Sequence, residues 1–192
     1  MSPRSELGRP FLRFLTFSLF GGVSIFLSGC GAYSGPSEYE RFKQKQDGFS
    51  GVIAAVGGTA KKEGKTMHGF QMTGWLIDLT DAEISDKLIG QIIEAGQSDA
   101  VFQLNFSNSD ITDDQLAKLD AGKVLQKTVD LNLSHTAITD AGLDRLSNFY
   151  CLSVLNLKGT AATKEGAKRL GDKKIANPET PLPFRKQPEL TI

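Results

Sequence analysis

The chain has 192 residues, 40% of them apolar and 23% charged, with 22 basic residues against 22 acidic ones. That balance supports one modest folded core and excludes a collagen-like or low-complexity chain. It also excludes an electrostatic footprint for nucleic acid, since residues 31–192 carry 19 basic and 21 acidic side chains.

The amino terminus reads as a processing signal. Arg4, Arg9 and Arg13 precede the uncharged run FLTFSLFGGVSIFLSGC, so a basic region leads into an apolar one that ends in small residues. As a helix the 14 residues from Phe14 to Leu27 would reach only about 21 Å, short of the roughly 30 Å hydrocarbon core. A cleaved signal therefore fits better than a transmembrane anchor. The run closes on Leu27-Ser28-Gly29-Cys30, which resembles the lipobox of bacterial lipoproteins. The resemblance implies that residues 1–29 are removed and that Cys30 becomes the acylated first residue. Two or three acyl chains, at about 0.8 kcal/mol per buried methylene, would hold such a protein on a membrane surface. An ordinary cleaved signal peptide and an uncleaved anchor are the alternatives. The expected location is lipid-anchored on the exported side of a bacterial cell membrane or outer membrane. With Cys30 acylated, Cys151 is the only other cysteine, and its apolar setting FYCLSVLNL predicts burial.

Residues 30–37 read as a short tether. Ser37-Glu38-Tyr39-Glu40 has the S-x-x-E form of a capping box and marks a helix start. A second helical segment is expected over FSGVIAAV at 49–56, stopped by Gly57-Gly58. The segment TAKKEGKTMHGFQMTGWLIDL predicts a β-hairpin with its turn near Gly64; Trp75, Ile77 and Leu79 alternate inward on its second strand, and Gly74 suits a bulge. Helix and hairpin, residues 38–74, would cap the chain from residue 75 onward.

Between Ile77 and Lys164 one phrase recurs four times: IDLTDAEISD, LNFSNSDITD, LNLSHTAITD and LNLKGTAATK, with starts offset by 27, 27 and 24 residues. Within each unit Ile77/Leu79, Leu104/Phe106, Leu131/Leu133 and Leu155/Leu157 alternate with polar neighbours, which predicts a short strand. A turn then places Ala82, Ser109, Thr136 and Thr160, and the hydroxyls of the last three are expected to bond to the neighbouring turn's backbone. Ile84, Ile111, Ile138 and Ala162 return apolar bulk to the core. Next, Ser85, Thr112, Thr139 and Thr163 stand as helix N-caps, followed at +3 and +6 helical spacing by Ile89/Ile92, Leu116/Leu119, Leu143/Leu146 and Ala167/Leu170.

The period falls in the range of leucine-rich repeats. The stretch ITDAGLDRL at 138–146 resembles their cysteine-containing class, known from F-box proteins and bacterial surface proteins; the likeness covers about 77–170. The first and fourth units depart from its pattern. The expected fold is α/β, a short right-handed leucine-rich-repeat solenoid over 75–171, with parallel strands on its concave side, helices on its convex side and the helix-hairpin cap ahead of it. The tail, 172–192, holds four of the seven prolines and is expected to be extended or disordered, with PETPLP compatible with a polyproline II ligand.

If the strand leucines point inward, Asp78, Asn105, Asn132 and Asn156 form one outward row, with Thr80, Ser107, Ser134 and Lys158 in the next and Gln103 and Asp130 extending the surface. Such a polar face on rigid strands suits docking of a protein or a glycan; the plainer reading is a face kept soluble. Asn105-Phe106-Ser107 and Asn132-Leu133-Ser134 satisfy N-x-S by coincidence, and Asp110, Asp113 and Asp114 read as helix-start acids without the D-x-D-x-D-G form of a calcium loop. His68 and His135 lie in different modules, and no nucleophile elbow, H-E-x-x-H, phosphate loop or paired-cysteine motif occurs. No catalytic residue, metal site or cofactor is assigned. The expectation is a membrane-tethered, non-catalytic protein-interaction module of the bacterial envelope, the alternatives being a structural envelope protein without a discrete ligand and a small enzyme whose site carries no recognisable motif.

Overall fold

The structure is a computed structural model that describes residues 35–67, 70–146, 148–176 and 187–192. The expected signal region, the expected acylation site Cys30, most of the expected tether and the PETPLP segment lie outside the described residues. Helix α1, Glu38–Ala55, starts at Ser37 with the full capping box: the serine hydroxyl accepts from the Glu40 N–H while the Glu40 carboxylate accepts from the Ser37 N–H. One continuous helix replaces the two expected segments. Residues 38–41 and 43–48 are exposed or only partly covered, and the helix enters the core through Phe49 and Ile53. Phe49 meets Trp75 edge-on at 4.9 Å between ring centres.

A hairpin follows, β1 (Thr59–Met67) and β2 (Phe70–Asp78), paired from Thr59↔Asp78 to Met67↔Phe70. The chain thus reverses between Met67 and Phe70 rather than near Gly64, which lies inside β1 opposite Thr73. Nine pairs form where a turn at Gly64 would leave both strands short. The bulge expected at Gly74 falls beside it: the register shifts between Trp75 and Leu76, with Phe102 the extra residue on the facing strand. Gly74 is where it is because that ring lies on it; a Cβ there would come 2.7 Å from Phe102 Cε2.

From β2 onward helix and strand alternate: α2 (Asp86–Ser98), β3 (Ala100–Asn105), α3 (Asp113–Ala121), a 3-10 turn (Val124–Lys127), β4 (Asp130–Asn132), α4 (Asp140–Arg145), β5 (Val154–Asn156), α5 (Lys164–Ala176) and β6 (Glu189–Thr191). The strands form one six-stranded sheet in chain order, antiparallel only at the hairpin. The fold is α/β. Sequential order with helical crossovers keeps α2 to α5 on one face, each packed on the next.

Register fixes the core. Ile77, Leu104, Leu131 and Leu155 stand opposite one another across four strands, and Leu190 of β6 continues the row. All but Leu190 are at most 1% exposed, as are Leu79, Phe106, Leu133 and Leu157 in the next row. Ile84, Ile111, Ile138 and Ala162 bring their side chains back beneath the strands, and every predicted helix position from Ile89 to Leu170 is buried. The N-caps are Ser85, Thr112 and Thr139 as expected, and the Thr163 hydroxyl accepts from the Gly166 N–H.

The tail departs from expectation. Helix α5 runs past 171 to Ala176, burying Lys174, and Glu189–Thr191 joins the sheet as a fifth parallel strand through Glu189 N–H to Ser153 O at 2.7 Å and Leu157 N–H to Thr191 O at 2.7 Å. An edge strand needs no alternation of its own when β5 offers a free ladder of backbone groups to pair with.

Candidate interaction surface

With Ile77 to Leu190 turned inward, the residues between them stand on the opposite face of the sheet. Two rungs cross all six strands. One holds Thr59, Asp78, Asn105, Asn132, Asn156 and Thr191; the other holds Lys61, Leu76, Gln103, Asp130, Val154 and Glu189. The predicted row of Asp78, Asn105, Asn132 and Asn156 is therefore one rung, and Gln103 and Asp130 are neighbours in the next. Burial pushes the Asp130 carboxyl up, and the Lys65 charge pulls it partly back.

The row has an internal function that the sequence pattern did not disclose. In each unit the side-chain oxygen of the rung residue accepts the backbone N–H two residues on: Asp78 from Thr80 at 3.0 Å, Asn105 from Ser107 at 3.1 Å, Asn132 from Ser134 at 3.0 Å and Asn156 from Lys158 at 3.1 Å. These Asx turns redirect the chain off the strand. Thr80, Ser107, Ser134 and Lys158 follow at the strand exits, but Ser134 is 5% exposed and shares a 2.9 Å hydrogen bond with Ser107. Ser134 is thereby removed from the accessible surface.

The next residue in each unit, Asp81, Asn108, His135 and Gly159, has φ of 60°, 57°, 58° and 72°. Asp, Asn, His and Gly are the residues that tolerate this left-handed region best, a signal present in the sequence but readable only once the turn is known. Each of the first three donates its N–H to the following unit: Asp81 to Ser107 O at 3.0 Å, Asn108 to Ser134 O and His135 to Lys158 O both at 2.8 Å. The ladder thus continues beyond the strands. His135 is accounted for as a turn residue.

At the turn's far side Ser109, Thr136 and Thr160 donate their hydroxyls to Phe106 O, Leu133 O and Leu157 O, each three residues back in its own unit. The expected bond to the neighbouring turn does not form, because the main-chain oxygen of the same turn is closer. On the helix side of the turn, units are linked instead through the helix-start acids. Asp113 accepts from both the N–H (3.0 Å) and the hydroxyl (2.6 Å) of Thr139, and Asp140 repeats this with Thr163 at 2.7 Å and 2.7 Å. The bonds from Thr163 hold the Asp140 carboxyl below the usual aspartate range. Gly142 and Gly166 leave the space these carboxylates occupy. Asp110 accepts from Ile84 N–H at 2.6 Å, and Asp114 pairs with Arg145.

Cys151 is half-buried, and burial raises the pKa of its thiol. Among the described residues no helix is long and apolar enough to cross a membrane, and no group of three or more His, Cys, Asp or Glu is placed to hold a metal ion. No protein-family model matches this chain, and no curated protein matches it significantly.

Proposed function

We propose that residues 38–176 and 187–192 build a short leucine-rich-repeat solenoid, and that the chain is a lipid-anchored, non-catalytic interaction module of a bacterial envelope. The observation that carries the repeat reading is the shared register: residues 27, 27 and 24 apart in sequence stand opposite one another in four neighbouring strands, each unit repeating the same Asx turn, left-handed residue and capped helix. On this reading α1 and the hairpin cap the array, the exposed rungs form the concave side, and acylated Cys30 attaches the module to the membrane.

A rigid polar face carrying Asp78, Thr80, Gln103, Asn105, Ser107, Asp130, Asn132, Asn156 and Lys158 supports docking of a protein or a glycan rather than chemistry. Two experiments test the proposal. Mass spectrometry of the mature amino terminus is expected to find residues 1–29 absent and Cys30 acylated; an intact Met1 or an unmodified Cys30 would remove the anchor. For the face, an envelope-extract pull-down compares the parent with Val154→Arg, which sets a bulky cation among the exposed rungs on β5 while sparing every Asx turn. A partner held equally by both proteins would remove the concave side as the docking surface.

A further inference from the structure

The Asx turns do more than bend the chain, because they dictate which half of each asparagine amide faces outward. The Oδ1 atoms of Asn132 and Asn156 are committed to the Ser134 and Lys158 N–H groups, so each Nδ2 is turned away from the turn as a donor. Among the described residues neither Nδ2 has an acceptor, and neither does the exposed Lys158 ammonium. The two residues stand in register on adjacent parallel strands about 4.8 Å apart.

At the other end of the same rung the arrangement is closed. Asn105 Nδ2 donates to Asp78 Oδ1 at 3.1 Å and to Thr80 Oγ1 at 3.0 Å. The Nδ2 donor is therefore answered over β2–β3 and open over β4–β5. We propose that the β4–β5 end is a carboxylate-binding subsite, formed by Asn132 Nδ2, Asn156 Nδ2 and Lys158 Nζ, that takes an acidic side chain of a partner peptide. Two amide donors in register on strands about 4.8 Å apart suit the two oxygens of one carboxylate, and the ammonium supplies the charge. Asp130 and Glu189 lie one rung away, about 6.6 Å toward the strand starts. They bar a second anion and accept the backbone N–H groups of the same peptide, which favours a peptide over a free anion.

The inference rests on the interaction-module reading, and its test is separate from that reading's pull-down. The full chain, 15N-labelled in detergent micelles, is titrated with the peptide acetyl-Gly-Glu-Gly-amide, its Gln counterpart and a neutral disaccharide. Saturable shifts of the Asn132 and Asn156 side-chain amides are expected with the Glu peptide, with at least tenfold weaker binding of the Gln peptide and no movement of the Asn105 amide. The double variant Asn132→Asp/Asn156→Asp keeps the turn-capping oxygen, as Asp78 does naturally, but turns both donors into acceptors; it should lose Glu-peptide binding. Should that variant fail to fold, Lys158→Gln carries the test, since only the backbone N–H of Lys158 serves the turn, and at least a fivefold loss is expected. Absence of shifts with the Glu peptide, equal binding of the Gln peptide, or stronger binding of the disaccharide would overturn the subsite. A partner lost on Val154→Arg alongside a silent Glu titration would overturn the subsite alone and leave the module standing.

Discussion

The units around β3, β4 and β5 share one phrase whereas the edge strand β6 lacks it, and the inner strands and the edge are buried differently. Leu104 and Leu131 are each flanked in register on both sides and are at most 1% exposed, whereas Leu190, flanked only by Leu155, is 41% exposed. The inner units return Ile111 and Ile138 to the core; the last returns only Ala162. In a stack held by nearest neighbours, a side chain's contribution depends on what covers it as much as on what it is.

The sharpest way to break this contrast is to empty one site in each region. Leu131→Ala should cost about 2–5 kcal/mol in a urea melt, the range for a fully buried leucine, and Leu190→Ala less than about 1 kcal/mol. Equal losses would mean that the stack does not distinguish inner from outer units. Next in size, Gly159→Ala forces a Cβ into the left-handed region and within 2.5 Å of His135 Nδ1, so a loss of about 1–2 kcal/mol is expected even in the last unit. A neutral result would show that this turn relaxes where the inner ones cannot. Thr112→Ala removes one half of the capping box of α3 and should cost about 1 kcal/mol, measured by the same melt.

The smallest effect concerns the joint between the third and fourth units. Bonds from Thr163, with Arg169 nearby, depress the Asp140 pKa below its ordinary value of 3.8, so this carboxylate stabilises the fold above that value and the contribution is lost as pH falls through the depressed one. Asp130 works in the opposite sense, since burial raises its pKa and its contribution fades as pH rises. The melting midpoint should therefore fall less steeply below pH 3.8 in Asp140→Asn than in the parent. An unchanged acid limb would show that the Asp140–Thr163 bonds do not couple the two units.

Much of this arrangement is legible in the chain because its causes are local. Alternation in LNLSHTAITD places Leu131 and Leu133 inward whatever lies beside them, and Ser or Thr ahead of an acid starts a helix through its own backbone. The polar row on the exposed face follows from the same alternation. Features that depend on a neighbour are not legible. Nothing in PELTI marks a strand until β5 presents its open edge, and the hairpin extends to Met67 because nine cross-strand pairs form. Asp113 and Asp140 read as helix-start acids, yet each holds the threonine cap of the following unit.

By itself, then, the amino-acid order determined the phase of the repeat, which side chains are buried and where the helices begin, since those depend on periodicity and on hydrogen bonds a few residues long. Only the tertiary structure decided which amides of the asparagine row are already answered and which are open, because asparagines at equivalent turns differ in what the neighbouring strand, about 4.8 Å away, offers their Nδ2.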